Sequence, residues 1–301
     1  MPDAGRAMSL SQTAAPAVTG QASQADQWRF VRYLFLAFLG LWLVFTLFPL
    51  YFMVITAFKT AAETNLTVPT FWPRNWQPQN FLGVFAERSN FSALIDSFII
   101  ATANTALALF LGSLAGYAFA RFPRQAGGEN LAFWILSNRM FPPVAILVPM
   151  FFLFDNTPWG TDSHLSLIIL YLVFNLPLAT WLMMVFFRDA PREIEEAAYL
   201  DGWTPLRAFV KVTLPLVLPG MISVAMLCWI FAWNEYLFAN LFVGTDVRTY
   251  TIVIPTFTHG SQTLWNLQMA FSLIAMIPPV TLFILLRRYM VRGLSLGVVK
   301  G

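Results

Sequence analysis

Five polar residues that are able to bind or gate a polar solute stand inside or at the ends of long apolar runs. They are Asn138, Arg139, Asn175, Asn234 and Glu235. Because a charge at the centre of a membrane helix costs about 2.5–3.5 kcal/mol on insertion scales, Arg139 and Glu235 should face the protein interior or an aqueous cavity. Amide and charged groups suit hydroxyl-rich solutes, since each makes several hydrogen bonds. The alternative role, bonding between helices or a buried ion pair, remains open for all five.

The sequence offers no support for catalysis by this chain itself. It has no HExxH motif and no G-x-x-x-x-G-K-[ST] loop for nucleotide phosphates, so any ATP chemistry must come from another chain. His164 and His259 have no carboxylate at ligand spacing, and we interpret them as surface residues rather than metal ligands. We therefore predict no catalytic residue, no metal site and no cofactor.

The composition excludes an ordinary soluble globular protein. The 301 residues are 58% hydrophobic and only 11% charged, whereas a soluble domain carries about 25% charged residues. The missing polar surface implies that much of the chain faces lipid. The net charge of +3 comes from scattered basic residues, which fits membrane flanks better than a nucleic-acid surface. The single cysteine, Cys228, has no partner for a disulfide within the chain.

Six apolar runs are long enough for a helix to cross the hydrocarbon core in about 20 residues. They cover roughly 33–58, 92–119, 131–154, 165–187, 215–243 and 269–291. We expect an all-α polytopic membrane protein in which residues 31–301 form one six-helix domain and residues 1–30 form a disordered tail. Prolines inside the runs should kink their helices, namely Pro49, Pro149, Pro177 and the pair Pro278–Pro279.

Lysine and arginine indicate the orientation of these runs. Most of them lie near the two ends of the chain and in the loops after the second and fourth runs, whereas few lie in 59–91, about 155–164 and 244–268. Cytoplasmic flanks carry the excess of Lys and Arg in membrane proteins. We therefore expect both termini in the cytoplasm and those three segments on the outer side.

The longest cytoplasmic loop between runs, 188–214, has a defined local pattern. Pro191 suits a first helical turn, and three glutamates follow near its positive end. The helix should stop at Gly202, and Thr204-Pro205 should cap and begin a second short helix. The small residues of this helix–Gly–helix unit would let another protein approach its backbone closely. An ordinary interfacial helix between two spans is the alternative.

The residues of this loop resemble a known motif. Glu196-Ala197-Ala198, three residues, Gly202, nine residues, Val212, one residue and Leu214-Pro215 resemble the EAA loop of ABC importer permeases, with Val212 where Ile is usual. Further stretches resemble the six-span, MalG-like permeases of the carbohydrate-uptake class in order and spacing: Arg139 to Pro143, Phe174 to Pro177, Phe231 to Glu235, and Val291 to Gly301. The resemblance covers nearly the whole chain after residue 30.

The resemblance implies a function and a set of partners. It implies a permease of the bacterial inner membrane that moves a sugar, polyol or related solute into the cytoplasm, with an EAA coupling helix between spans 4 and 5. The implied partners are a second, non-identical permease, two cytoplasmic ATP-binding subunits, an extracytoplasmic solute-binding protein and membrane lipid, but no nucleic acid. Carried over residue by residue, the ATPase-docking elements are Glu196, Ala197, Ala198, Asp201 and Gly202. The tail 293–301 is a further candidate contact.

Two other functions remain as alternatives. A secondary transporter would usually show internal repeats and its own ion-coupling carboxylates, and six spans would make a small one. A membrane scaffold would leave the EAA pattern unexplained.

Overall fold

A computed structural model describes the backbone of residues 20–259 and 262–296 and the side chains of residues 28–258 and 263–289. The chain divides into two units, Met1–Phe52 and Met53–Gly301. Helix α1 (Gly20–Ala57) accounts for the described part of the first unit. It begins at Gly20, inside the segment 1–30 that we assigned to the tail. Residues 1–19 lie outside the described part.

The second unit is built mainly from helices, which are joined by loops between the end of α1 and residue 296. In chain order they are α2 (Ala61–Thr64), α3 (Asn80–Gly83), α4 (Arg88–Arg121), α5 (Gly128–Ser137), a 3-10 turn (Asn138–Met140), α6 (Pro143–Asp155), α7 (His164–Leu170), α8 (Leu172–Asp189), α9 (Arg192–Leu200), α10 (Pro205–Ala208), a π-helical turn (Phe209–Thr213), α11 (Leu214–Trp233), α12 (Leu237–Phe242), α13 (Tyr250–Thr256) and α14 (Trp265–Leu296). Two strands of two residues each, β1 (Thr258–His259) and β2 (Gln262–Thr263), form an antiparallel hairpin that the sequence did not predict.

Five helices of the described chain are long and apolar enough to cross a membrane. They are Trp28–Ala57, Arg88–Arg121, Leu172–Asp189, Pro205–Trp233 and Trp265–Tyr289. Two shorter helices, Gly128–Met140 and Pro143–Asp155, are together long and apolar enough to cross a membrane, and they are bent by 91° relative to each other. The described fold is therefore a helical membrane protein with five such helices and one bent pair.

The bent pair corrects our expectation of one continuous helix over 131–154. We expected the kink at Pro149, but Pro149 lies inside α6, and the helix breaks at Phe141 and Pro142 instead. Both residues precede a proline and lie outside the helical region, with ψ of 136° at Phe141 and 120° at Pro142. The ring of the following proline disfavours the helical conformation in the residue before it, which explains the position of the break.

The fifth run also ends earlier than expected. We expected a helix over 215–243, but α11 ends at Trp233, and Asn234 caps it. The chain then leaves the helical path for three residues before α12 begins at Leu237. Asn234 and Glu235 thus lie in an irregular segment between two helices, and the Thr251 hydroxyl donates to the Glu235 carbonyl oxygen there at 2.8 Å.

Helices α4 and α8 pack closely because two glycines of α4 leave room for them. A Cβ at Gly112 would lie 2.7 Å from Ala179 Cβ, and a Cβ at Gly116 would lie 2.7 Å from the Met184 backbone nitrogen. The two glycines form a GxxxG pattern, which lets two membrane helices approach at their backbones. Helix α11 packs against α4, α8 and α14.

Candidate functional site: the coupling loop and a membrane cavity

Helix α9 is an exposed nine-residue helix between α8 and α11. It begins after Pro191, one residue later than the sequence pattern suggested, and Glu193 and Glu195 lie in its first turn. Carboxylates near a helix N-terminus are stabilised by the unpaired N–H groups there. The helix covers Arg192–Leu200 and so lies between Pro191 and Gly202.

Gly202 follows the end of α9, where we expected the helix to stop. Its φ is +81°, in the left-handed region. The Gly202 N–H donates to the Tyr199 carbonyl oxygen at 3.0 Å, and the Trp203 N–H donates to the Ala198 carbonyl oxygen at 3.0 Å. This is the Schellman arrangement, in which a glycine reverses the chain and satisfies the last carbonyls of a helix. An ideal Cβ at Gly202 would meet nothing within 4 Å, so the turn faces open space.

A second short helix follows as predicted. The Thr204 hydroxyl accepts a hydrogen bond from the Arg207 N–H at 3.3 Å and caps α10, and Pro205 holds its first position. The π-helical turn then leads directly into α11. Local interactions therefore fix the whole path from α9 to the start of the next long helix.

The five residues assigned to ATPase docking do not share one environment. Glu196, Ala197, Asp201 and Gly202 are exposed, whereas Ala198 is buried with 7% of its surface accessible. Four of the five residues thus form an outer face of α9 and its turn. Ala198 belongs to the inner face, where its small side chain allows close packing.

Glu195 is a functional candidate that the sequence analysis did not single out. Only 4% of its surface is exposed. One carboxylate oxygen lies 2.7 Å from Arg121 Nη2 and accepts from the Thr213 hydroxyl at 2.8 Å. The other accepts from the Tyr117 hydroxyl at 3.2 Å. The i, i+3 spacing of Glu195 and Ala198 was a usable signal, since residues three apart lie on one face of a helix.

A cavity of about 310 Å³ brings together three of the five polar residues that interrupt the apolar runs, Asn138, Arg139 and Glu235. The rest of its lining is apolar: Phe141, Pro143, Ile146, Val173, Phe174, Phe231, Leu237 and Phe238. Arg139 Nη1 donates to the Phe174 carbonyl oxygen at 2.6 Å, and its guanidinium carbon lies 4.4 Å from the centre of the Phe231 ring. A carbonyl and an aromatic face thus compensate the charge of Arg139.

Glu235 has a structural role in the same cavity wall. Its carboxylate accepts the N–H groups of Phe238 at 2.9 Å and of Ala239 at 3.1 Å, so it caps the start of α12. A charge-assisted bond to two backbone donors is stronger than a neutral one. Glu235 therefore both faces the cavity and fixes the irregular segment between α11 and α12.

The structure does not bring Asn175 or Asn234 to this cavity. Asn175 is fully buried, and its Nδ2 donates to Asn104 Oδ1 at 2.7 Å and to the Cys228 carbonyl oxygen at 2.9 Å. It therefore joins α4, α8 and α11, which is the helix-bonding alternative. Asn234 is exposed and lines a second cavity of about 180 Å³, where its Oδ1 accepts from the Tyr250 hydroxyl at 3.0 Å.

Two carboxylates organise the segments that we expect on the outer side. The Asp162 carboxylate accepts the N–H groups of Thr245, Asp246 and Val247 at 2.7, 2.9 and 3.1 Å. Burial raises the pKa of Asp162, but these backbone donors outweigh it and hold the pKa below its ordinary value. His164, interpreted as a surface residue, has a partner in Asp96, with 2.9 Å between Nε2 and Oδ1.

Comparisons with known proteins give the family of this chain. The family model described as binding-protein-dependent transport system inner membrane component matches residues 108–296. The inner membrane ABC transporter permease protein YcjP of Escherichia coli K12 is 32% identical over 269 residues, which cover 87% of this chain and 94% of the relative. The trehalose transport system permease protein SugB of Mycobacterium tuberculosis is 37% identical over 227 residues, which cover 74% of this chain and 81% of the relative.

A solved structure has the same fold. A chain of a bacterial ABC transporter involved in the import of the acidic polysaccharide alginate superposes with a TM-score of 0.72 at 19% identity, and the match covers 87% of this chain and 97% of that chain. The resemblance of this chain to ABC importer permeases is confirmed over most of the sequence. This chain belongs to the inner membrane components of binding-protein-dependent transport systems, and it is a permease subunit of an ABC importer whose ATP hydrolysis takes place in separate subunits.

Proposed function

We propose that this chain is one of two non-identical permease subunits of an importer for a sugar, a polyol or a related solute. The relative SugB, named as a permease protein of a trehalose transport system, supports the solute class. In this proposal the chain crosses the inner membrane six times, with the bent pair α5–α6 counted as one span. Both termini and α9 then lie on the cytoplasmic side, as the distribution of lysine and arginine favours.

We further propose that the outer face of α9 docks on an ATP-binding subunit. The observation that carries this proposal is that Glu196, Ala197, Asp201 and Gly202 are exposed together on a helix whose opposite face is fixed to the bundle. Small residues and a glycine turn in open space allow close approach of a partner backbone. The two carboxylates would pair with cations of the ATPase at the edge of that contact.

The cavity around Asn138, Arg139 and Glu235 is the part of the solute path that we assign to this chain. Its volume of about 310 Å³ lies at the lower end of the range for small-molecule sites. Its aromatic side chains suit the apolar faces of a sugar ring, and its amide and charged groups suit the hydroxyls. Asn234 belongs to the same proposal through the adjoining irregular segment, whereas Asn175 is too deeply buried to meet a solute.

Purification of the assembled complex tests this function. The tagged chain, extracted from native membranes in mild detergent, should recover an ATP-binding subunit and a second permease. Proteoliposomes with this complex and the solute-binding protein should take up labelled trehalose or mannitol only when ATP is present on the ATPase side. Uptake by the chain alone, without ATP, would contradict the proposal and favour a secondary transporter. ATP-dependent uptake of other solutes but of no sugar or polyol would contradict the solute class.

A further inference from the structure

The inner face of α9 is fixed to a helix that is not its neighbour in the chain. The Glu195 carboxylate contacts Tyr117 and Arg121, which lie in the last turns of α4. A second hydrogen bond also joins α9 to α4, in which Arg192 Nη2 donates to the Ala120 carbonyl oxygen at 2.9 Å. Arg121 Nη2 also donates to the Ala190 carbonyl oxygen at 3.1 Å, just before α9. The docking helix is therefore anchored to the end of α4 as well as to the two long helices that it connects.

Helix α4 is well suited to carry a movement across the membrane. It is one unbroken helix of 34 residues, which at a rise of 1.5 Å per residue is about 51 Å long. Near its other end, Asp96 contacts His164, and the Ser97 hydroxyl accepts the Tyr250 N–H at 2.8 Å. Its glycine face packs closely on α8. One stiff element thus joins the α9 contact to the segments expected on the outer side.

The chemistry of the contact favours transmission of force over simple stabilisation. A buried ion pair adds little net stability compared with well-packed apolar residues of the same size, but it resists separation because either charge left alone is costly. Arg121 and Glu195 are 6% and 5% exposed. The guanidinium fixes both the distance and the direction of its partner. When α9 shifts, it should therefore pull the end of α4 with it, and the two helices should not slide past each other.

We propose that Glu195 is the positioning residue that couples α9 to α4, so that a displacement imposed at the outer face of α9 reaches the spans through the Glu195–Arg121 pair. Thr213 extends the same link to the start of α11 through its hydrogen bond to Glu195. This inference rests on the proposed docking of an ATPase at α9. It adds a division of roles within one helix, in which the exposed residues bind the partner and the buried glutamate transmits the movement.

The test compares Glu195→Gln with wild type in the complex purified from native membranes. Glutamine keeps the size of the side chain but removes the charge that pairs with Arg121. The ATP-binding subunit should still co-purify at the wild-type ratio. A cysteine at Ser92, an exposed residue in the outer turns of α4, reports the movement in a Cys228→Ala background. Its labelling by a water-soluble maleimide should change with a non-hydrolysable ATP analogue in wild type. In Glu195→Gln that change should shrink about fivefold or more, the lower end of usual coupling factors.

Two further variants separate transmission from a structural role. Glu129→Gln is the matched control, because it removes another ion pair at the same end of the bundle, Glu129–Arg188 at 2.7 Å, which does not involve α9. It should leave the nucleotide-dependent labelling unchanged. Arg121→Gln combined with Glu195→Gln should lose no more of the response than the larger of the two single losses, because both substitutions break the same Arg121–Glu195 ion pair.

The possible outcomes distinguish this inference from the proposed function. A wild-type labelling response in Glu195→Gln would overturn the role of Glu195. Loss of the ATP-binding subunit from Glu195→Gln, to the same extent as from a variant of the outer face, would also overturn it and make Glu195 a support of the docking surface only. Failure of the wild-type chain to recover any ATP-binding subunit would instead contradict the proposed function itself.

Discussion

Replacement of Gly202 by leucine is the sharpest perturbation of the proposed docking face. Gly202 has a φ of +81°, and a residue with a Cβ pays about 1–2 kcal/mol to adopt that conformation. Nothing lies within 4 Å of the position that a Cβ would take there, so no steric clash adds to this strain. The strain alone lowers the population of the native turn relative to alternatives by a factor of about 5–30. The leucine side chain would also stand in the space that a partner needs.

A series at this position separates strain from bulk. Gly202→Ala adds strain with little bulk, Gly202→Asn adds bulk with less strain because asparagine enters the left-handed region more readily, and Gly202→Leu adds both. Gly160→Leu is the matched control, since Gly160 has a φ of +65° and open space around it but lies in the loop between α6 and α7. The assay is the amount of ATP-binding subunit that co-purifies with the tagged chain, together with binding-protein-stimulated ATP hydrolysis.

We predict that Gly202→Leu loses the ATP-binding subunit, or uncouples hydrolysis, while the chain remains inserted in the membrane. Gly202→Asn should lose more than Gly202→Ala if bulk dominates, and Gly202→Ala should lose more if strain dominates. Gly160→Leu should match wild type. Wild-type values of both measurements in Gly202→Leu would refute the docking assignment. Equal losses in Gly160→Leu and Gly202→Leu would show that the effect comes from strain anywhere in the chain.

The geometry of the site leads to four further predictions. Glu196→Lys reverses an exposed charge on α9 and should weaken ATPase binding by about 1 kcal/mol, or about fivefold, in a titration of the purified subunits; unchanged affinity would contradict it. Glu235→Gln should reduce solute uptake more than complex assembly, and equal loss of both would favour the helix-capping role alone. A cysteine at Arg139 should react with water-soluble reagents or not at all, so strong labelling from the lipid phase would count against the cavity. Because the pKa of Asp162 is lowered, its carboxylate stabilises the fold above the ordinary pKa of 3.8 and loses this effect as the pH falls through the lowered value. Asp162→Asn should therefore lower Tm at neutral pH, and its Tm should fall less steeply than that of wild type as the solution is acidified. A fall of Tm with pH as steep as in wild type would refute this.

The long helices could be predicted from the sequence, but the breaks within them could not. Hydrophobicity summed over about 20 residues identifies a span whatever its exact sequence. A pair of prolines is not enough to predict a break, because Pro142–Pro143 lies at a sharp bend whereas Pro278–Pro279 lies inside α14. Arg139 beside the bend contacts the Phe174 carbonyl oxygen and the Phe231 ring, which come from α8 and α11. Those contacts are not visible in the local sequence.

The loop 188–214 was predicted most accurately where its structure is local. Gly202 and Thr204 act through hydrogen bonds to residues within five positions, so residue type and spacing are enough to place them. Local sequence does not decide which of the two neighbouring glutamates, Glu195 or Glu196, is buried. Glu195 is buried against Arg121, which lies 74 residues away in the sequence. Its neighbour Glu196 is exposed. The sequence pattern therefore predicted the helix but not which of its glutamates is buried.

The same limit applies to the polar residues within the membrane. Insertion cost predicts that such residues avoid lipid, but it does not distinguish a cavity from a bonded interior. Arg139 and Glu235 line a cavity, whereas Asn175 bonds to Asn104 and to the carbonyl of Cys228. The GxxxG pattern of Gly112 and Gly116 was readable in the sequence and would have predicted the close α4–α8 pairing that holds Asn175 in place.

The most direct test of the central claim is a cross-link from the outer face of α9. A cysteine at Ala197, an exposed residue, is introduced in a Cys228→Ala background and treated with a short bifunctional thiol reagent in native membranes. We predict a cross-linked product that contains the ATP-binding subunit, with a yield that changes when ATP is added, and no such product from a cysteine at Ser92. An importer that still takes up its solute but gives no cross-link from Ala197 to an ATP-binding subunit, under reagents that do label Ala197→Cys, would contradict the docking of α9 on that subunit.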